Sequence, residues 1–268
     1  MHRIGIIGAG NMGGAIVRGL LDAGYLKAGQ IAVSDINPER LADLAETYGP
    51  IGCYQDARDL CLDSEMILLA VKPHFLAGVI EHCADELAEK AVISIAAGWT
   101  FSMLTEKLDP LKARCLRVMP NTPAMVGEGM TVICEQTSFL PEELEFAKGI
   151  FDSLGRSMIL PERMFDGVIA ISGSSPAYVY MMIEAMADGG VREGIPRAAA
   201  IELAAQSVMG SALMVLSGDT HPAALKDAVC SPGGTTIEAV AELEKRGFRA
   251  AVLDAMAACA DKSRKMAK

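Results

Sequence analysis

Residues Gly5 to Ile16 read GIIGAGNMGGAI, and this stretch decides the fold of the first part of the chain. It places the spacing Gly8-x-Gly10-x-x-Gly13 between a short apolar strand and a helical run. The first glycine permits a tight turn, the second lets the backbone approach a pyrophosphate, and the third lets helix and strand pack closely. An ordinary tight turn is the alternative, but the strand–loop–helix context favours nucleotide binding at the start of the helix.

The residues at the end of the second strand and just after it indicate whether NAD or NADP binds. That strand ends in Ser34 and Asp35, and Asn37 and Arg40 follow. An acidic residue here usually binds both ribose hydroxyls and favours NAD, whereas a hydroxyl, an amide and an arginine suit the 2′-phosphate of NADP. Both signals are present. We favour NADPH, with NADH as the alternative.

A second candidate cofactor loop is AVKP, from Ala70 to Pro73, which ends the apolar strand MILLAV. In a doubly wound sheet, the carboxyl end of a strand near the reversal of strand order is where a dinucleotide lies. Lys72 is either a catalytic acid or a solvated loop charge, and the sequence does not choose between them.

Strand and helix patterns alternate as far as Pro161. Short apolar runs such as RIGIIG, QIAVSD, SEMILLAV, AVISIAAG, CLRVMPN, MTVICE and RSMILP are separated by helical stretches. The alternation predicts an α/β fold, a Rossmann-like, doubly wound and mostly parallel sheet with helices on both faces. We therefore place a dinucleotide-binding domain at residues 1–160 and an all-helical domain at residues 161–268.

The second part of the chain reads as helices only. They are predicted at residues 162–171, 176–193, 197–216, 236–246 and 248–265. Several are rich in Ala and Met with few charges, and a helix that is apolar nearly all round must be buried on several sides. One small helical domain cannot bury so much surface, so we infer a subunit interface.

Composition excludes several classes of protein. A formal net charge of -10 argues against nucleic acid or an anionic membrane as a main partner. The 7 cysteines form no CxxC pair, which favours reduced cytoplasmic thiols over disulfides or a metal site. We expect no secretory leader before the first strand, and no apolar run long enough to span a bilayer.

The stretch DAVCSPGGTT, from Asp227 to Thr236, raises a separate question. A loop with two glycines opens a helix there and contains no His or Lys. Such a loop can bind an anion through backbone N–H groups, or it can be a helix start with no ligand. It is not a Walker loop, because no Lys follows the second glycine.

Taken together, these motifs resemble those of the pyrroline-5-carboxylate reductase family. AVKP, SIAAG, MPNTP, SGSSPAYVY and HPAALKDAVCSPGGTTIEAVAELE stand in family order, and the resemblance covers essentially the whole chain. The family more often has glycine where Ser175 stands, although serine is a good helix cap. The resemblance implies homodimers with interlocked helical domains, often joined into larger rings such as a decamer.

The resemblance also implies which residues touch the ligands. Its cofactor contacts fall on Gly8, Ala9, Gly10, Asn11, Met12, Gly13, Ser34, Asp56, Ala70, Val71, Lys72, Pro73, Ala96 and Ala97. Its substrate contacts fall on Asp219, Ser231, Pro232, Gly233, Gly234, Thr235 and Thr236.

The implied reaction is hydride transfer from a reduced nicotinamide to the C=N bond of 1-pyrroline-5-carboxylate, which gives L-proline, the last step of proline biosynthesis. An imine can take its proton from water before it binds, so no general acid of tuned pKa is essential. The N–H groups of Gly233, Gly234 and Thr235 are expected to hold the substrate carboxylate. Thr236 is the candidate catalytic residue, as a hydrogen-bond partner of the imine nitrogen.

Two other functions are alternatives for this sequence. A β-hydroxyacid dehydrogenase combines a similar first domain with a helical one. Enzymes of that class have a pattern of lysine and asparagine on the first long helix. Here VIAISGSSPAYVYMMIEAMADGG contains neither residue. A non-catalytic regulator that senses NADP is not excluded by composition, and a turnover assay separates it from an enzyme.

Overall fold

The structure, a computed structural model, describes residues 1–266. Residues 267 and 268 of the predicted helical domain lie outside the described residues. The chain divides into two compact units. The first contains Met1–Ser174 and the stretch from Cys259 onward, and the second contains Ser175–Ala258.

The first unit contains an eight-stranded sheet. Its strands are β1 (His2–Ile7), β2 (Ile31–Ser34), β3 (Gly52–Tyr54), β4 (Ser64–Leu69), β5 (Ala91–Ser94), β6 (Arg114–Met119), β7 (Gly129–Thr137) and β8 (Gly155–Leu160). The order is β3-β2-β1-β4-β5-β6-β7-β8, and neighbours are parallel except for β6 and β7. The reversal of order between β1 and β4 confirms the predicted doubly wound, mostly parallel sheet.

Helices follow most strands of this unit. They are α1 (Asn11–Asp22), α2 (Pro38–Tyr48), α3 (Ala57–Leu62), α4 (Leu76–His82), α5 (Ala84–Leu87), α6 (Phe101–Leu108), α7 (Pro141–Asp152) and α8 (Phe165–Val168). Both faces of the sheet are covered, because Ile6 packs in one core with Ile16 of α1 while Ile7 packs in another with Leu76 of α4. Each such side chain contributes about 1.5–3 kcal/mol by burial.

Two details of this unit differ from the sequence expectation. Strand β3 was not predicted, since three residues are too few to show an alternating pattern. The single helix expected at residues 162–171 was only partly right. The structure has a 3₁₀ turn at Glu162–Met164, then α8, then a π-helical turn at Ile169–Gly173. Side-chain periodicity does not distinguish these three hydrogen-bond patterns in so short a segment.

The second unit is helical. It contains α9 (Ser175–Arg192), α10 (Arg197–Leu216), α11 (Pro222–Val229), α12 (Thr235–Lys245) and the first part of α13 (Phe248–Met266). The four long helices confirm the prediction to within two residues at each end. Helix α11 is not among the predicted helices, because its last residues belong to the stretch DAVCSPGGTT, which reads as a loop. Its first residue is a proline, which is a usual helix-start signal.

Large apolar side chains of the second unit lie at its surface. Met181 of α9 is 70 % exposed, Leu203 of α10 is 59 % exposed and Leu253 of α13 is 66 % exposed. Exposed apolar surface on this scale marks an interaction surface. The structure therefore agrees with the inference that one copy of these helices cannot bury its own apolar residues.

Helix α10 corrects one expectation. By length and composition it could cross a membrane, and it is the one such helix in residues 1–266, although we had expected no run of that kind. Its charged residues, Arg197 and Glu202, both lie in its first two turns, which leaves a long uncharged remainder. Length and composition alone do not distinguish a membrane from a partner helix as the surroundings of such a segment.

Candidate active site

The glycine loop after β1 has the geometry that an anion requires. Gly8 has a φ of +107°, and a Cβ there would lie 2.8 Å from the Ala70 carbonyl oxygen. A Cβ at Gly13 would overlap the Gly8 carbonyl, whereas one at Gly10 would have only Arg40 nearby, at 3.9 Å. No side chain among the described residues caps the N-terminus of α1. The first N–H groups of α1 are thus available to a phosphate.

The carboxylate of Asp35, just beyond β2, is occupied by hydrogen bonds from the protein's own backbone. Its carboxylate accepts the N–H of Ala9 at 2.7 Å and the N–H of Asn37 at 2.8 Å, and its side chain is only 5 % exposed. Arg40 approaches the same carboxylate at 3.4 Å but is 52 % exposed. The carboxylate is therefore turned under the glycine loop, while the guanidinium lies open beside Gly10.

Two other predicted cofactor contacts are occupied or buried. Ser34 ends β2 and is only 3 % exposed. Asp56 caps α3 by accepting the N–H of Arg58 at 2.9 Å, and it pairs with His82 at 2.9 Å. These two hydrogen bonds, the backbone one first, hold the pKa of Asp56 below its usual value. His82 was missed from the sequence, because the pairing joins residues that are distant along the chain.

The AVKP loop and the residues after β5 complete this edge of the sheet. The Ala70 N–H donates to the Ile7 carbonyl at 2.8 Å, which brings the loop against the glycine loop. Lys72 is exposed. Ala96 is buried, and its N–H donates to the Ser94 hydroxyl at 3.3 Å. Loops after β1, β2, β4 and β5 thus share the carboxyl edge around the reversal of strand order, where dinucleotides bind in such folds.

The SPGGTT loop lies in the second unit, at the start of α12. Gly233 has a φ of +65°, which favours glycine, and Gly234 is the N-cap of α12. As with α1, the part of the chain that the structure describes offers no side-chain cap to this helix. The N–H groups of Thr235 and Thr236, in the first turn of the helix, therefore have no capping side chain. The positive, N-terminal end of the helix dipole favours an anion at this position.

The loop departs from our expectation at Gly234. Its N–H donates to the Ser231 carbonyl at 3.0 Å within the loop, so this N–H is not available to a substrate carboxylate. Its φ is -80°, so the left-handed conformation belongs to Gly233 instead. A Cβ at Gly234 would still meet the Ser231 hydroxyl. Among the other predicted substrate contacts, Asp219 is exposed between α10 and α11, and Pro232 is exposed within the loop.

One charge beside this loop escaped the sequence analysis. Lys226 and Asp227 form an ion pair of 2.7 Å at the end of α11. The hydrogen bond to Asp227 raises the pKa of Lys226, which keeps the ammonium charged. The signal was Lys226, which directly precedes the stretch DAVCSPGGTT and therefore lay just outside the residues considered there.

Two known protein families match separate parts of the chain. Residues 162–266 match the pyrroline-5-carboxylate reductase dimerisation family. Residues 3–98 match the NADP oxidoreductase, coenzyme F420-dependent, family. The first match covers α9 to α13, including the apolar helix α10, and the second covers the glycine loop and the AVKP loop.

Similar proteins match along the whole chain. Pyrroline-5-carboxylate reductase of Escherichia coli is 46 % identical over 267 residues, 99 % of this chain and 98 % of its own. The enzyme of Methanosarcina acetivorans is 41 % identical, with 100 % and 98 % covered. The crystal structure of Plasmodium falciparum pyrroline carboxylate reductase with NADP bound has a TM-score of 0.90 and 31 % identity, with 100 % and 98 % covered. Because this similarity is high and runs from end to end, the chain belongs to the pyrroline-5-carboxylate reductase family.

Proposed function

We propose that this protein is a pyrroline-5-carboxylate reductase, an oxidoreductase that acts on the C=N bond of 1-pyrroline-5-carboxylate and forms L-proline. The observation that carries the proposal is the 46 % identity over 99 % of the chain to a protein of that name. Geometry adds a second support. Each unit presents a glycine loop that opens a helix with no side-chain cap among the described residues.

The residues after β1 and β2 fit NADPH. Backbone N–H groups of Asn11, Met12 and Gly13 would bind the pyrophosphate. The half-exposed Arg40 would take the 2′-phosphate, since Asp35 is buried under the loop and offers a ribose little surface. When bound, NADPH supplies the hydride. The similar Plasmodium protein has NADP bound. NADH remains a second, weaker cofactor, because Arg40 would lose its phosphate partner.

The loop before α12 fits the substrate carboxylate. Backbone N–H groups of Thr235 and Thr236 would donate to it, and the glycines at 233 and 234 leave the approach open. The hydroxyl of Thr236 would hydrogen-bond the imine nitrogen and orient the C=N bond. An iminium is already electrophilic, so the protein has to orient and desolvate the substrate more than to protonate it.

The remaining expectations follow as part of the proposal. Residues 1–160 bind the dinucleotide, and residues 161–268 bind substrate and form the dimer. The dimerisation family match and the exposed apolar helices support a homo-oligomer. We propose a homodimer as its unit, able to join into a ring such as a decamer, and a cytoplasmic location.

A turnover assay tests the function. Purified protein should oxidise NADPH when 1-pyrroline-5-carboxylate is added and not before, with proline as the product. The same protein should act poorly on a β-hydroxyacid with NADP⁺, which separates the two enzyme classes. Tight NADPH binding without any turnover of the imine would instead identify the regulator.

A further inference from the structure

The single tryptophan of the chain joins two loops at the carboxyl edge of the sheet. Trp99 follows β5 in the sequence AAGWT. Its indole ring is half-buried against the core cluster that contains Leu69 and Leu76. Its Nε1–H donates to the carbonyl oxygen of Pro73 at 3.0 Å. The last residue of the AVKP loop is therefore bound directly to the loop after the neighbouring strand.

The two hydrogen bonds at the Pro73 carbonyl have different consequences. The N–H of Leu76 also donates to this oxygen and closes the 3₁₀ turn Pro73–Phe75. That bond is local, and it would travel with the turn if the loop moved. The indole comes from 26 residues further along the chain, so its hydrogen bond fixes where the turn lies relative to β5.

The position of the AVKP loop matters because it contacts the glycine loop. A Cβ on Gly8 would lie 2.8 Å from the Ala70 carbonyl oxygen, and one on Gly13 would lie 3.3 Å from the Ala70 Cβ. The AVKP loop is therefore packed closely against the glycine loop, which limits movement toward it. Displacement in the other direction would open the edge at which the pyrophosphate is proposed to bind.

The segment that carries the indole is itself held by hydrogen bonds of the two residues that follow Trp99. Thr100 caps α6 by accepting the N–H of Met103 at 3.1 Å. The N–H of Phe101 donates to the Glu162 carboxylate at 2.6 Å, and the buried Arg117 pairs with the same carboxylate. Trp99 therefore projects from an anchored segment, and its indole holds the AVKP loop in place. The AVKP loop does not hold Trp99 in place.

We propose that Trp99 is a positioning residue for cofactor binding: its indole N–H holds the AVKP loop against the glycine loop before NADPH arrives. The inference rests on the proposed function, because the loop has this importance only if a dinucleotide binds beside it. A preordered loop saves ordering entropy on binding, and it acts on affinity more than on the chemical step.

The test compares variants at this residue. Trp99→Phe keeps an aromatic ring but removes the donor, and it should raise the Kd and KM for NADPH about threefold to tenfold, the equivalent of one hydrogen bond. The kcat at saturating NADPH should change less than about twofold. Trp99→His should restore affinity, because the Nε2–H of its five-membered ring takes the place of the indole Nε1–H. The Kd is measured by the fluorescence of bound NADPH under direct excitation.

A matched control comes from another bond of the same kind. The Tyr25 hydroxyl donates to the Phe146 carbonyl at 3.1 Å, away from the carboxyl edge. Tyr25→Phe should therefore leave the KM for NADPH unchanged. The inference is overturned if Trp99→Phe binds NADPH as tightly as the wild type, or if the Phe and His variants weaken binding equally while both lower the Tm. A wild-type protein that binds no NADPH would overturn the proposed function and this inference with it.

Discussion

At the scale of one residue, Asp35 shows how far a sequence determines a role. An acidic residue after β2 usually indicates a contact to ribose, and the strand pattern placed Asp35 there correctly. Its orientation could not be predicted, because it depends on an N–H from Ala9 in a different loop. The sequence therefore located the candidate cofactor edge but left the choice of dinucleotide open.

The proposed role of Arg40 can be measured by its effect on cofactor preference. Arg40→Ala should lower kcat/KM for NADPH roughly tenfold or more, because a charge-assisted hydrogen bond to a phosphate contributes about 1.5–3 kcal/mol. The value for NADH should change little. Steady-state kinetics with both cofactors check this, and Arg58→Ala, which removes an arginine that pairs with Glu86, is the control. An unchanged preference in Arg40→Ala would mean that another residue binds the 2′-phosphate.

Gly234 tests the anion site at the start of α12. Gly234→Val can keep its φ of -80°, but its side chain would meet the Ser231 hydroxyl and crowd the loop. Affinity for proline, the product of the proposed reaction, should fall about tenfold or more through loss of one or two charge-assisted hydrogen bonds. NADPH affinity should stay within about twofold, since the glycine loop after β1 belongs to the other unit. Isothermal titration with each ligand measures both. Equal loss of both affinities in a folded variant would contradict the proposed anion site.

Substitutions of Thr236 distinguish a role in the chemical step from a role in substrate binding at the same loop. Thr236→Ala removes the hydroxyl but keeps the backbone N–H, so proline affinity should fall less than kcat does. Thr236→Ser should recover most of the rate, because the hydroxyl returns. Turnover measured beside proline binding decides this. A variant with full kcat and weakened proline binding would assign Thr236 to carboxylate binding alone.

At the scale of helices and strands, strong periodicity was the reliable guide. The long helices α9, α10, α12 and α13 and seven of the eight strands could be predicted, because their apolar patterns repeat over enough residues. What could not be predicted was short or broken: β3, α11 and the π-helical turn at Ile169–Gly173. These elements depend on neighbours across the sheet or on local hydrogen bonds that leave no repeating pattern.

Strand β3 is held to the sheet edge partly by a pH-sensitive hydrogen bond. The Tyr54 hydroxyl donates to Asp63 at 2.5 Å, and this bond raises the pKa of Tyr54 from 10.0 to about 12. The folded state therefore prefers the protonated phenol. Its contribution to stability is complete below about pH 10 and is lost as the pH rises toward 12.

Tyr54→Phe should accordingly be less stable than the wild type at neutral pH, and the difference should shrink as the pH rises between those two values. Urea unfolding of both proteins at several pH values measures it. Tyr180→Phe, at a tyrosine that is 60 % exposed, serves as the comparison and should show a smaller effect. A constant difference between Tyr54→Phe and the wild type across this range would mean that the hydroxyl contributes no pH dependence.

At the scale of the whole molecule, the helical unit requires a partner. Its exposed apolar residues lie within the stretch that matches the dimerisation family. This also accounts for α10, whose composition alone would equally suit a bilayer. Assembly was predictable from the sequence because charges are few in these helices, whereas the copy number of the assembly depends on surfaces whose pairing no periodicity reveals.

Leu203 provides a test of that assembly. Leu203→Lys places a charge on an apolar side chain that is 59 % exposed on α10, and it should shift the protein toward smaller species in sedimentation velocity at micromolar concentration. Leu62→Lys, at a leucine 64 % exposed on α3, should leave the distribution unchanged. A wild type that sediments as a stable, active monomer would contradict the proposed interface.

The composition of the loop before α12 determines how the binding of proline should depend on pH. The stretch from Cys230 to Thr236 contains no Lys, Arg or His, so the groups proposed to hold the carboxylate are peptide N–H groups, which do not titrate in the physiological range. Proline affinity should therefore be nearly flat between about pH 6 and pH 9. A sharp change would mean that a titratable side chain, and not only peptide N–H groups, takes part in holding the carboxylate. If affinity is flat, any dependence of the reaction on pH in this range arises from the protonation of the imine and not from the anion site that holds it.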